Sequence, residues 1–227
     1  RISARIIDSV FPEEQHLQQV IDNPVMKLNL IVARARKLTA SDNKALLAAG
    51  LTVTATANLL SRRHLRHFFQ RVQFHPANTE APFHYAGLLP TEHIPLATTN
   101  LRQAILASGS IPMVLEPVLD IPGAPAGRYY DGGITDYHFD LPFSDNGLVL
   151  YPHFYPYATP GWFDKALKWR KTKAAAFHNV VMLCPSDEWV KSLPYSKIPD
   201  RSDFKLPDDV RIQYWRTVIE RSFELAE

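Results

Sequence analysis

The run Arg128-Tyr129-Tyr130-Asp131-Gly132-Gly133 puts one carboxylate at the end of a short aromatic stretch and follows it with two glycines. Paired tyrosines favour a strand, and a strand holds the side chain at its last position with little slack. The glycines then permit a tight turn, with positive φ open to both, that brings backbone close to a cleft. A carboxylate presented in this way suits a general base that takes a proton from a hydroxyl. An exposed carboxylate is a weak base at neutral pH, so Asp131 needs partial cover, which Tyr129 and Tyr130 can supply. Asp-Gly is also a common turn dipeptide, so the spelling alone does not make an active site and the neighbouring elements have to decide.

Other residues could do chemistry. His138-Phe139-Asp140, read as extended, sets a nitrogen and a carboxylate on one face, an arrangement shared by surface hydrogen-bonded pairs, metal ligands and a histidine relay. No third ligand and no nucleophile accompany them, and no metal or cofactor site is predicted. Ser110 lies at a helix end rather than in a strand-to-helix turn, which makes it a poor nucleophile. Cys184, the one cysteine, sits in Asn179-Val-Val-Met-Leu-Cys184 and reads as buried strand. His64 and His67 stand among arginines in a solvated basic bend, where a phosphate or lipid headgroup contact is the functional alternative. Residues 151–173 interleave Tyr151, Phe154, Tyr155, Tyr157, Trp162, Phe163 and Trp169 with Lys165, Lys168, Arg170, Lys171 and Lys173. That mixture suits either a loop whose rings pack on a sheet or peripheral contact with a membrane surface.

The elements expected to position these residues alternate between helix and strand. Residues 2–23 read as two short helices broken at Phe11-Pro12, residues 26–35 as a strand, and residues 41–50 as a helix with an N-cap at its start and a terminal glycine, Gly50. Threonine and valine make residues 51–60 a predicted strand, and residues 70–75 another. Proline-rich residues 76–95 read as a surface loop. Thr98 or Thr99 is placed to cap a helix that buries Leu101, Ile105 and Leu106. Residues 147–151 and 179–184 are continuous apolar runs, as in strands covered on both faces, and residues 208–227 form an amphipathic helix.

Composition bounds the function classes. With 227 residues and 46% apolar content the chain can build a full core. Twenty-five basic against 23 acidic residues, a net +2, provide no field for nucleic acid. No apolar run reaches the length of a membrane span, and no signal peptide is visible, so the expected location is cytoplasmic or peripheral to a membrane.

The helix Pro95-Leu-Ala-Thr-Thr-Asn-Leu-Arg-Gln-Ala-Ile-Leu-Ala-Ser-Gly-Ser-Ile-Pro112, then Glu116-Pro117-Val118, then Tyr130-Asp131-Gly132-Gly133, resembles the second half of a patatin-like acyl hydrolase. The resemblance covers residues 96–142 and implies an α/β fold with a three-layer sheet flanked by helices. It implies a Ser-Asp dyad in which Asp131 is the catalytic base, acting on lipid or other carboxylic esters without a cofactor. After the aspartate, Asp136-Tyr-His-Phe-Asp-Leu-Pro142 stands in longer form where the family places a polar residue and a proline. The family's serine occupies a Gly-x-Ser-x-Gly turn, and no such pentapeptide occurs from Arg1 to Glu227. The expectation is therefore that residues 1–227 are the C-terminal portion of the domain, with 147–227 a variable extension and the serine upstream of Arg1. The isolated chain is then inactive. The alternative is a non-catalytic lipid- or partner-binding domain derived from the same fold.

Overall fold

Strand alternation in the first 131 residues builds the sheet that carries Asp131. In the computed structural model, which describes residues 2–83, 87–144 and 147–225, β1 (Leu30–Ala35), β2 (Phe69–His75), β3 (Thr91–Pro95), β4 (Val118–Leu119) and β5 (Arg128–Asp131) form one mixed sheet in the order β3-β2-β1-β5-β4. β2 and β3 are parallel, and the other neighbours antiparallel. The helices of this region are α1 (Ile2–Val10), α2 (Glu14–Ile21), α3 (Lys44–Leu60), α4 (Thr98–Ser108) and the single turn α5 (Gly133–Asp136).

The period of two along each strand sorts side chains between the faces. Val32, Val72, Phe74 and Tyr129 pack with Leu17 of α2 and Leu101, Ala104 and Ala107 of α4. Ala33, Ala35, Phe69 and Tyr130 pack with Leu47 and Leu51 of α3. Adjacent tyrosines thus anchor β5 in two separate cores, and both are essentially inaccessible. Removal from water disfavours the phenolate and pushes the Tyr129 pKa up to about 12, while its hydroxyl donates to the Pro125 carbonyl.

Three local expectations fail here for identifiable reasons. Residues 51–60 are not a strand, and Gly50 does not end the helix; α3 continues through both to Leu60. Asn43 caps it, its Oδ1 accepting from the N–H groups of Ala45 at 2.8 Å and Leu46 at 3.2 Å. Thr52, Thr54 and Thr56 turn their hydroxyls back onto the carbonyls of Ala48, Gly50 and Thr52, so β-branched residues are accommodated within the helix. Gly50 is there for closeness: a Cβ would stand 2.9 Å from the Leu38 carbonyl carbon. Residues 91–95, expected as loop, form β3, and Pro95 is tolerated because β3 lies at the edge of the sheet.

The chain divides into two units, Arg1–Asn146 with Ala158–His178, and Gly147–Tyr157 with Asn179–Glu227. In the second, β6 (Val149–Pro152) pairs in parallel with β7 (Val180–Leu183), and α6 (Asp187–Ser192) and α7 (Asp208–Ser222) follow. These two strands are not covered on both faces as their apolar runs suggested: Leu150 is 64% and Leu183 60% exposed. Leu193, Tyr214 and Val218 form this unit's own small core. Among the described residues no helix is long and apolar enough to cross a membrane.

Glycine to alanine inside a helix ordinarily stabilises by about 1 kcal/mol. Gly50→Ala is expected to reverse that sign and lower stability by roughly 1–2 kcal/mol, because the methyl meets backbone rather than a flexible side chain. Urea unfolding measures it, with Gly109→Ala, where the added Cβ meets nothing within 4 Å, as the reference. A stabilised Gly50→Ala protein would refute the close approach.

Candidate active site

Asp131 is the last residue of β5 and sits opposite Val32 of β1. Its N–H donates to the Ser110 carbonyl at 2.9 Å, which ties the strand end to the segment just after α4. Its Oδ1 accepts the N–H of Gly133 at 2.7 Å, so backbone holds the carboxylate at the mouth of the following turn. The residue is half-buried.

Neither glycine uses the positive φ open to it. Gly132 has φ −62° and ψ −22°, ordinary right-handed values, and leads directly into α5. What excludes a side chain is contact: a Cβ at Gly132 would overlap the Ile31 carbonyl oxygen of β1. The Gly132 carbonyl accepts from the N–H groups of Thr135 at 3.0 Å and Asp136 at 2.9 Å, and from the Thr135 hydroxyl at 3.0 Å. Thr135 and Asp136 therefore close the turn that begins at Asp131.

One helical turn is too short to hold itself, and α5 is fixed by charge. Arg71 of β2 donates through Nε and Nη2 to the two carboxylate oxygens of Asp136, both at 2.6 Å, and through Nη1 to the Thr91 hydroxyl of β3 at 2.9 Å. Each side chain of the pair is 2% exposed. The fork geometry satisfies both carboxylate oxygens, which such deep burial requires.

A second charge cluster adjoins the first. Asp164 accepts from the Asn58 amide at 2.7 Å, from Arg170 at 3.0 Å and from Arg62. Arg62 also donates to the Thr135 carbonyl at 2.8 Å, and Arg170 to the carbonyls of Asn58 at 2.6 Å and Leu59 at 3.0 Å. Thus α3, α5 and the segment around Asp164 are joined around one buried carboxylate. Sequence reading left Arg62 in a solvated bend and Arg170 among surface cations. Their neighbours His64 and His67 do remain exposed, with ring centroids 6.1 Å apart.

The remaining candidates are occupied otherwise. Ser110 is 1% exposed and its hydroxyl donates to the Leu106 carbonyl at 2.8 Å, which removes it as a nucleophile. The segment at His138 is not extended, because Phe139 adopts φ 48°. His138 Nδ1 accepts the Thr159 N–H, and Asp140 accepts the Lys173 N–H, each at 2.8 Å. Among the described residues no group of three or more His, Cys, Asp or Glu side chains is placed to hold a metal ion. Cys184 is half-buried rather than fully enclosed. No protein-family model, curated protein or solved structure matches the chain.

The charge pair beneath α5 gives a stability test. Arg71→Met, which leaves Asp136 buried without its partner, is expected to lose roughly 3–5 kcal/mol, and the double variant Arg71→Met/Asp136→Leu to recover much of that loss. Denaturant unfolding of the three proteins measures both. A loss below about 1 kcal/mol for the single variant would mean that the pair does not hold α5.

Proposed function

We propose that Asp131 is the general base of a serine acyl hydrolase acting on lipid or other carboxylic esters, in a three-layer, patatin-like fold of which this chain forms the C-terminal portion. The observation that carries the reading is the fixed carboxylate at the end of β5. Its Oδ1 is held at 2.7 Å by the Gly133 N–H, and the Gly132 backbone lies against β1 too closely for any side chain. Pre-positioning of this kind is what proton abstraction from a serine hydroxyl needs, because the base then does not reorganise as the bond to the ester carbonyl forms. The helix before the strand supports the same reading.

The serine is not supplied from within these 227 residues. No Gly-x-Ser-x-Gly turn occurs in them, and Ser110 is enclosed with its hydroxyl bonded to Leu106. Those two observations also favour a second reading, a non-catalytic lipid- or partner-binding domain of the same fold. Contact with a membrane surface belongs to both readings. Trp169, 67% exposed near Lys165 and Lys168 in sequence, and Phe154, 66% exposed, are rings of the kind that settle at headgroup level.

The full product of the gene is expected to hydrolyse a chromogenic acyl ester, and the 227-residue chain to leave it intact. Asp131→Asn in the full product should lower turnover by roughly 10²–10⁴-fold with an unchanged thermal melt. Unimpaired Asp131→Asn turnover removes Asp131 from the chemistry. Robust hydrolysis by the 227-residue chain overturns the argument about the serine, and a full product without esterase activity hands the case to the binding domain.

A further inference from the structure

A cavity of about 400 Å³ opens beside α5, and six cationic side chains line it: Arg62, Arg63, Arg71, Arg170, Lys171 and Lys173. Their charges are unequally matched. Arg71 is neutralised by Asp136. Arg62 and Arg170 share Asp164, so two guanidiniums meet one carboxylate. The two arginines are only 13% and 17% exposed, which leaves one positive charge unbalanced where water screens it poorly. Arg63, Lys171 and Lys173 are exposed and form no ion pair among the described residues. Asp140, also on the wall, accepts the backbone N–H of Lys173.

Six cations thus face three carboxylates around one concavity, in a chain whose net charge is only +2. Like charges gathered against the apolar wall of Leu60, Leu141 and Pro142 repel one another and focus the field into the opening. An exposed lysine or two would signify little. The decisive feature is the half-buried guanidinium pair that shares Asp164, because it fixes positive charge at the cavity wall by internal hydrogen bonds rather than by flexible stems. The volume lies at the small end of ligand sites, which run from roughly 300 to 1,000 Å³, and suits a headgroup-sized ligand rather than an acyl chain.

We propose that this cavity binds a phosphate monoester dianion. Such a group carries close to two negative charges near neutral pH and three strong acceptor oxygens. That matches both the excess of positive charge and the number of cations that converge. A free phosphorylated small molecule and a phosphatidate headgroup share this chemistry. The inference stands on the charge cluster alone and does not require Asp131 to be catalytic.

Calorimetric titration of the 227-residue chain with inorganic phosphate at low salt tests it. The expected result is saturable binding that weakens at least tenfold in Lys171→Ala/Lys173→Ala, with an unchanged thermal melt because both lysines are exposed. Lys191→Ala/Lys205→Ala, which removes two exposed cations from the other unit, should bind phosphate like the parent. Equal weakening in both variants, undiminished binding in Lys171→Ala/Lys173→Ala, or no saturation by about 10 mM, an affinity near the weak limit of specific recognition, would overturn the site. Sedimentation with phosphatidylcholine vesicles, with and without phosphatidic acid, distinguishes the sources. Retention that needs phosphatidic acid and is competed by inorganic phosphate assigns a lipid headgroup; phosphate binding without retention assigns a soluble ligand.

Discussion

A carboxylate taken out of water needs donors for both its oxygens, and much of the region around Asp131 depends on one such match. Arg71 reaches from β2 across to Asp136, satisfies both its oxygens and also donates to the Thr91 hydroxyl of β3. Without that fork, α5 would be a single helical turn with little of its own to hold it. With it, the end of β5, the turn after it and the two strands on the far side of β1 become one rigid piece. Hydrophobic packing alone gives less direction. Tyr129 and Tyr130 fix β5 in its plane through two cores, yet apolar contact is non-directional and does not decide where the chain turns once the strand has ended. The charge pair and the overlap that forbids a Cβ at Gly132 decide that.

Some of this was legible in the amino-acid sequence, and the division follows the range of the interactions. The strand that ends in Asp131, and the helix before it, depend on local spelling: aromatic residues at strand spacing, and Leu101 with its helical neighbours bounded by Gly109 and Pro112. Both lie where expected. Residues 51–60 misled because threonine and valine carry a strand preference that tertiary packing overrode, with the hydroxyls absorbed by carbonyls one turn back. Gly50 and Gly132 misled in the same way. A glycine spells freedom of φ, but here it marks the approach of another backbone, to Leu38 and to Ile31, and nothing within a few residues announces that neighbour.

The charge clusters were illegible for a stronger reason. Arg71 and Asp136 are 65 residues apart, and Arg62 and Asp164 are 102 apart. In a basic stretch such as Arg62-Arg63-His64-Leu65-Arg66-His67, composition cannot say which arginine turns inward. Arg62 does, while Arg63 and Arg66 stay in solvent. β6 and β7 teach the complementary lesson. A continuous apolar run states that a strand is favourable, but not how many of its faces another layer will cover, so the expected burial of both faces gave way to alternating exposure.

The same charges link stability to the geometry at Asp131 through the turn that follows it. Asp131 is held by the Gly133 N–H, and the Gly132 carbonyl by Thr135 and Asp136. Thr135 and Asp136 are held in turn by Arg62 and Arg71. Four residues therefore separate the candidate base from two guanidiniums, one of which lies in a cluster with more positive charge than its own carboxylate balances.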